Sequence, residues 1–280
     1  MRVAIDRVSP PFADDVTAEF VDRHYDVVTR GLVEGRWPVP VPVGREGNFT
    51  ARDHNNRGQL AAGDDRFTAL CVAHSYGVMH YSETLSFVRS CPELSGAGAI
   101  AALDVGCGIG SGLAALRAAA GDGDHRWLGF DPHLITLRLA EAVVDGIVVP
   151  EPVFTAALDP AAAARLTGWA GEGRRTVFVA SHVLGQRTLT DESLEELARW
   201  MVGVVASVGS AELVGIEPDR SGVVERGPAL LRILARSLSL TRQVDEVREL
   251  PRLETRSTAP IAPFVGPGRK RVRWYTLAAG

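Results

Sequence analysis

A run of alternating glycines directly after an apolar segment is the feature that most constrains this chain of 280 residues. The segment 101–110 reads AALDVGCGIG, and an Ala- and Leu-rich stretch follows it. Glycine adopts positive φ angles at little steric cost, so the spacing predicts a tight turn between a strand and a helix. Such a turn lets a nucleotide-like ligand lie against the backbone at the N-terminus of the helix.

An acidic residue, Asp131, follows the glycine run by roughly twenty residues. At this interval, nucleotide-binding folds place an acid that binds the ribose. It ends a short apolar segment and precedes Pro132. A carboxylate can accept hydrogen bonds from two neighbouring hydroxyl groups, whereas Asp-Pro also begins many helices. Ribose binding and helix capping are both compatible with this position, and the glycine run favours ribose binding.

The order acid-x-Gly-x-Gly-x-Gly that begins at Asp104 resembles motif I of the class I S-adenosylmethionine-dependent methyltransferases. The resemblance covers 99–280 and implies a Rossmann-like, doubly wound α/β fold. Its seven-stranded sheet would be mostly parallel and end in an antiparallel hairpin. The implied cofactor is S-adenosylmethionine, which leaves as S-adenosylhomocysteine. The expected cofactor-binding residues are Asp104, Gly106, Cys107, Gly108, Gly110, Asp131, Pro132, Asp159 and Ser181.

From residue 99 onward, apolar segments of strand length alternate with segments of helical periodicity. Repeated strand–helix units predict a parallel sheet with helices on both faces. The predicted strands are 100–107, 126–131, 147–154, 176–183, 211–217, 238–247 and 272–278. The predicted helices between them are 112–120, 132–144, 161–170, 191–208 and 223–237.

Residues 1–98 lie outside this alternation and are predicted to form a mainly helical lid or substrate-recognition segment. Helical periodicity spans 15–32 and 67–88. Proline at every second position within 37–43 excludes a helix there and predicts extended chain, and the polar stretch 48–63 predicts a loop. Whether the segment serves as a lid or as the interface of a homodimer is left open by the sequence.

Three side chains are candidates for catalysis. Tyr76 and His80 share a face of the second N-terminal helix, where they could contact the cofactor or act as a base. The alternative is that the aromatic rings pack in the core while His80 and Glu83 are solvated. His182 follows the fourth predicted strand, at the ligand-binding edge of a doubly wound sheet, and is either a general base or a packing histidine.

Two further acids have open roles. The resemblance implies that Asp159 accepts a hydrogen bond from the adenine amino group, but it also precedes Pro160 and could equally cap a helix. Glu217 follows the fifth predicted strand and could bind a cationic group or cap a turn.

Composition excludes several classes of function. A net charge of −4 does not indicate nucleic-acid binding. Three cysteines without a CxxC pair predict neither a disulfide scaffold nor a zinc site, and no metal site is expected. The N-terminus lacks the apolar region of a signal peptide, and no apolar run reaches the ~18 residues of a membrane span. A cytoplasmic protein is therefore expected.

The favoured function is in-line transfer of a methyl group to a small molecule, such as an amino acid or secondary metabolite, in a bacterial enzyme. One alternative is an RNA- or ribosome-associated methyltransferase, because 181–184 and 216–218 are loosely similar to such a family, although that family's cysteine ligands are missing. Another is a catalytically silent methyltransferase-like binding protein. A nicotinamide-dependent oxidoreductase is disfavoured, since Ser111 stands where GxGxxG requires glycine.

Overall fold

The computed structural model describes residues 14–29, 66–91, 98–183, 190–218, 226–251 and 269–279. The extended segment predicted at 37–43 and the loop predicted at 48–63 lie outside these ranges. None of the helices in the described ranges has the length and apolarity needed to cross a membrane.

The described strands form one sheet of seven. They are β1 (Ile100–Val105), β2 (Arg126–Phe130), β3 (Val153–Thr155), β4 (Arg175–Ser181), β5 (Ala211–Pro218), β6 (Leu240–Pro251) and β7 (Arg269–Ala279). Their spatial order is β3-β2-β1-β4-β5-β7-β6. Strands β1 to β5 run parallel, and β7 is antiparallel to both β5 and β6. The predicted doubly wound α/β class is confirmed. Its chain order reverses between β1 and β4, where such sheets bind ligands at the carboxyl ends of the strands.

Seven α-helices occur in the same ranges. They are α1 (Asp15–His24), α2 (Arg66–Ser90), α3 (Ser111–Ala120), α4 (Leu134–Val144), α5 (Pro160–Gly171), α6 (Asp191–Val208) and α7 (Arg226–Ser237). A π-helical turn, Tyr25–Thr29, extends α1. Polar side chains cap the N-termini of several of these helices. The Asp14 carboxylate, for example, accepts a hydrogen bond from the Thr17 N–H at 2.7 Å.

Alternate residues of the strands face two separate apolar layers, as the pleat requires. In β4, Val177 and Val179 pack with α1, α2, α3 and α4, whereas Phe178 and Ala180 pack with α5, α6 and α7. Because both faces are covered at the centre of the sheet, the central strands β1 and β4 are mostly apolar rather than alternating with polar residues.

The third predicted strand is wrong over most of its length. Only Val153–Thr155 pairs with β2, opposite Leu128, Gly129 and Phe130. The N–H groups of Ile147 and Val148 instead donate to the Val144 carbonyl, so this part of the chain completes the end of α4. Both side chains are buried, and their apolar character therefore reflects burial at a helix end.

The first two helices share one apolar core with α3 and α4. The rings of Phe20 and Tyr81 stack with centroids 4.4 Å apart, and the Tyr81 hydroxyl lies 2.7 Å from the Thr17 hydroxyl. The Arg89 guanidinium donates to the Asp14 carboxylate at 3.0 Å and to the Ala118 carbonyl of α3 at 2.9 Å. These contacts fix α1 and α2 on the helices that follow β1 and β2.

Candidate functional site

A cavity of about 580 Å³ lies at the carboxyl ends of β1, β2 and β4, a volume typical of small-molecule sites. Its walls come from the glycine turn after β1, the residues after β2 and β3, and helices α2 and α6. The lining includes Tyr76, His80, Asp104, Gly108, Asp131 and Ser181.

The three glycines of the turn have different surroundings, although each has a positive φ. A Cβ on Gly106 would lie 2.3 Å from a Val183 methyl, and one on Gly110 would lie 2.5 Å from a Val144 methyl. Close packing within the protein therefore requires these two glycines. Gly108 has a φ of +54°, and a Cβ there would have nothing within 4 Å. Its backbone faces the open cavity, where a ligand can approach closely.

The structure corrects the cofactor contact predicted for Gly110. This residue stands at the N-cap of α3 with a φ of 79°, and its neighbour across the packing interface is Val144. It is absent from the described lining of the cavity, whereas Gly106, Cys107 and Gly108 line it. The role of Gly110 is therefore to let the chain enter the helix.

Asp104 places a buried carboxylate against the first turn of α3, with only 2% of its surface exposed. Burial raises its pKa to about 8, while the Leu113 and Gly112 N–H groups oppose this rise and the Asp131 carboxylate adds to it. Within the described part of the chain, no group completes a hydrogen bond to Oδ2. An incompletely satisfied buried acid beside a cavity suits a cationic ligand group, which would return it to the charged form.

Asp131 is held by two backbone groups. Its Oδ2 accepts from the Gly108 N–H at 3.2 Å and its Oδ1 accepts from the His133 N–H at 2.9 Å. Burial raises its pKa, and the hydrogen bond from His133 opposes this rise. The alternative role as a helix cap is wrong, because α4 begins at Leu134 with His133 at its N-cap. The carboxylate instead joins the end of β2 to the glycine turn beside the cavity.

Asp159 lies outside the described lining of the cavity. It is exposed, and its carboxylate accepts the Ala162 N–H at 2.9 Å as the N-cap of α5. The preceding residue, Leu158, lines the cavity in its place. The helix-capping alternative is therefore the one that the structure supports, and Asp159 leaves the set of candidate site residues.

Three other predicted cofactor residues line the cavity: Cys107, Pro132 and Ser181. Burial raises the pKa of the Cys107 thiol well above its ordinary value, so it is neutral and unreactive near pH 7. The Ser181 hydroxyl accepts a hydrogen bond from the Thr84 hydroxyl at 2.9 Å, which ties the end of β4 to α2.

The predicted catalytic side chains come together, but only two of them reach the cavity. Tyr76 and His80 line it, whereas His182 is absent from the described lining. The His182 ring lies parallel to that of His80, with centroids 4.2 Å apart, and its Nε2 lies 2.6 Å from Oε2 of Glu83. The structure therefore corrects the placement of His182, which stands behind His80 and is 7% exposed.

The alternative in which Glu83 is solvated is wrong, because this side chain is fully buried. Its spacing in the sequence already indicates that it lies near His80, because a residue three positions later faces nearly the same side of a helix. Glu217 is also buried, at the end of β5, and is absent from the described lining of the cavity.

Helix α2 rests directly on the glycine turn. The Ser111 hydroxyl donates to the Gly77 carbonyl at 2.9 Å, and a Cβ on Gly77 would lie 2.5 Å from Cδ1 of Ile109 and 2.8 Å from Nε2 of His24. Burial lowers the pKa of His24 to about 4, so this ring is neutral in the packed interface. Glycine at position 77 is thus required by the close approach of α2 to the turn.

No protein-family model matches the sequence, and no curated protein matches it significantly. Solved structures of low identity are similar. Precorrin-6y C5,15-methyltransferase from Geobacter metallireducens GS-15 is 12% identical, with 70% of this chain and 86% of that chain covered and a TM-score of 0.45. A SAM-dependent methyltransferase from Aquifex aeolicus is 12% identical, with 77% and 97% covered and a TM-score of 0.44. Magnesium protoporphyrin IX methyltransferase from Synechocystis PCC 6803, with bound SAH, is 13% identical, with 92% and 99% covered and a TM-score of 0.38.

Proposed function

We propose that this chain is a class I S-adenosylmethionine-dependent methyltransferase that methylates a small-molecule acceptor. The observation that carries the proposal is the convergence of Asp104, Gly108 and Asp131 on one cavity at the switch point of a doubly wound sheet. The first acid precedes the glycine turn, and the second is hydrogen-bonded to the turn itself.

The residues present fit the cofactor. Asp104 offers a buried carboxylate to the ammonium group of the methionine part, and Asp131 offers acceptor oxygens to the ribose hydroxyls. The open space at Gly108 admits the nucleoside against the backbone. Two alanines and a leucine after β3, at 156–158, provide an apolar wall for a purine ring.

The bound cofactor supplies a methyl group on a sulfonium, which is already a good leaving group. The protein's main task is therefore to align the acceptor with that group, and alignment alone is worth on the order of 7–11 kcal/mol. Tyr76 and His80 face the cavity and can hold the acceptor or take its proton. Helix α2 carries both residues and acts in this proposal as a lid over the site.

A small acceptor is supported by the site's charge as well as by its size. The lining includes the acidic side chains Asp104, Asp131 and Glu196, and the whole chain has a net charge of −4. Nucleic acid requires clustered positive charge to neutralise its phosphates, which the described part of the lining does not provide.

Calorimetric titration of the purified protein with S-adenosylmethionine, S-adenosylhomocysteine and NAD tests the proposal. We expect dissociation constants on the order of micromolar for the first two ligands and no heat of binding with NAD. Binding of NAD, or of none of the three, would overturn the assignment. Binding of the first two without methyl transfer to any acceptor in a broad small-molecule panel would favour the silent binding protein instead.

A further inference from the structure

Three ionisable side chains from two distant parts of the sequence meet behind one wall of the cavity. Glu83 of α2 is fully buried, and its Oε2 lies 2.6 Å from Nε2 of His182, which follows β4. One face of the His182 ring lies against the His80 ring, with ring planes only 11° apart. His80 in turn stacks on Tyr76, with centroids 5.3 Å apart, and these last two residues line the cavity.

The backbone at His182 is strained in a way that serves this arrangement. His182 has a φ of +58°, and it is the one residue other than glycine with a positive φ in the described ranges. Such a conformation costs on the order of 1–3 kcal/mol and persists where surrounding contacts enforce it. Here the His182 N–H donates to the Ile216 carbonyl of β5 at 2.7 Å, while the ring is held between Glu83 and His80.

We propose that His80 is the general base for an aromatic hydroxyl acceptor, and that Glu83 and His182 are positioning residues for this base. The proposal rests on the methyltransferase function above and names the substrate class of the same site. Glu83 fixes the His182 ring, and that ring supports His80 at the cavity wall. With both imidazoles neutral beforehand, the buried carboxylate offsets the single positive charge that the stacked pair gains when His80 takes the acceptor's proton.

The presence of a base selects among acceptors. A carboxylate or a neutral ring nitrogen can be methylated without one, whereas a hydroxyl must lose its proton as the new bond forms. Imidazole, with an ordinary pKa of ~6.5, is a poor match for an alkanol but is suited to a phenol, whose ordinary pKa is ~10. The aromatic ring of Tyr76, beside His80 in the cavity wall, provides a surface against which the ring of the acceptor can pack.

The acceptor hydroxyl gives its proton to a nitrogen of His80, and the oxygen lone pair forms the new O–CH₃ bond. The CH₃–S bond breaks and its electron pair remains on sulfur, which leaves a neutral thioether. His80 then returns the proton to solvent.

The test uses 4-nitrophenol as the probe, because its phenolate absorbs visible light and its neutral form does not. The full-length protein is saturated with S-adenosylhomocysteine and titrated with the probe between pH 5 and 9. We expect the bound probe to ionise at a pH about one unit or more below the free probe. That shift corresponds to an approximately tenfold larger phenolate fraction at low pH.

Four variants test which side chains cause the shift in the ionisation of the bound probe. His80→Phe keeps an aromatic ring and should abolish it. Glu83→Gln keeps the shape of the side chain without its charge and should remove most of it, and Glu83→Asp should restore part of it. His182→Asn removes the ring but tolerates the left-handed backbone, so it should also remove most of the shift. Glu141→Gln, an exposed residue on α4, is the matched control and should behave as the unmodified protein.

The outcomes separate the two proposals. Failure to bind S-adenosylhomocysteine contradicts the proposed function itself. Normal binding of S-adenosylhomocysteine with no binding or no ionisation of 4-nitrophenol overturns the aromatic hydroxyl acceptor. If the ionisation of the probe is still shifted in Glu83→Gln, Glu83 does not position the base. If Glu83→Gln does not fold, a shift that is still present in His182→Asn overturns the positioning role instead.

Discussion

The carboxylate of Asp131 accepts a hydrogen bond from the backbone N–H of Gly108, with 3.2 Å between oxygen and nitrogen. This bond joins the end of β2 to the turn after β1 and sets the acid at the edge of the open space over Gly108. It also means that the acid and the glycine act on a ligand as one unit, so that changes at either residue should affect the same binding event.

Replacement of Asp131 by alanine should weaken S-adenosylmethionine binding about tenfold to a hundredfold, because hydrogen bonds to a charged group contribute ~1.5–3 kcal/mol. Calorimetry measures the change. Asp159→Ala is the matched control, because that aspartate caps α5 outside the cavity. It should leave the affinity unchanged and lower the free energy of unfolding by about 1 kcal/mol. Equal affinity losses in both variants would contradict the site as assigned.

Substitution of Gly108 by alanine should reduce cofactor affinity, because the new Cβ would project into the space that the ligand needs and the φ of +54° is strained for alanine. Gly168→Ala, in the middle of α5 where a Cβ meets nothing within 4 Å, should instead stabilise the protein by about 0.5–1 kcal/mol without altering affinity. Thermal denaturation and calorimetry on both variants separate the two effects. Unchanged affinity in Gly108→Ala would place the ligand elsewhere.

The buried acid Asp104 should make the ligand-free protein less stable as the pH rises. Its pKa of about 8 in the folded state lies above the ordinary value of ~3.9, so between these limits the folded chain binds a proton that the unfolded chain has lost. Stability from this group is therefore present below about pH 4 and declines as the pH rises to 8. Asp104→Asn should flatten this decline and raise the melting temperature at pH 8, even though it weakens cofactor binding. A steeper decline in the variant would show that the carboxylate stabilises the ligand-free fold.

Binding of S-adenosylmethionine at pH 7 should release close to one proton. The ligand's ammonium favours the charged form of Asp104, which holds a proton in the ligand-free protein at that pH. Titrations in two buffers with different ionisation enthalpies measure the number of protons released. The release should disappear in Asp104→Asn. A proton count near zero in the unmodified protein would mean that this carboxylate is already ionised or does not meet the ammonium.

Local chemistry made the glycine turn and the position of Asp131 predictable from sequence. The turn after β1 depends on glycines that are adjacent in the chain, and Asp131 follows at the distance that one strand–helix–strand unit fixes. The Asp-Pro dipeptide was ambiguous for a physical reason. After Asp159 the helix begins at once and the acid caps it, whereas after Asp131 the helix begins at Leu134 and leaves the carboxylate free to bond the turn.

The contact between Glu83 and His182 could not be predicted in the same way. Glu83 and His182 lie on separate elements, and only the packing of α2 against the end of β4 brings them within 2.6 Å. Propensity and spacing within a segment contain no information on such a pair. The positive φ of His182 was equally hidden, since it results from tertiary contacts and histidine has no strong preference for that conformation.

The concentration of Gly77, His80, Glu83 and Thr84 on α2 has an evolutionary consequence. Gly77 lets this helix fit against the glycine turn, and His80 lines the cavity. Glu83 and Thr84 contact residues at and just after the end of β4. Mutations that retain the glycine but alter the next two turns can reshape this wall of the cavity while the parallel sheet stays intact. In the proposed methyltransferase, new substrate ranges can thus arise through substitutions in this single helix.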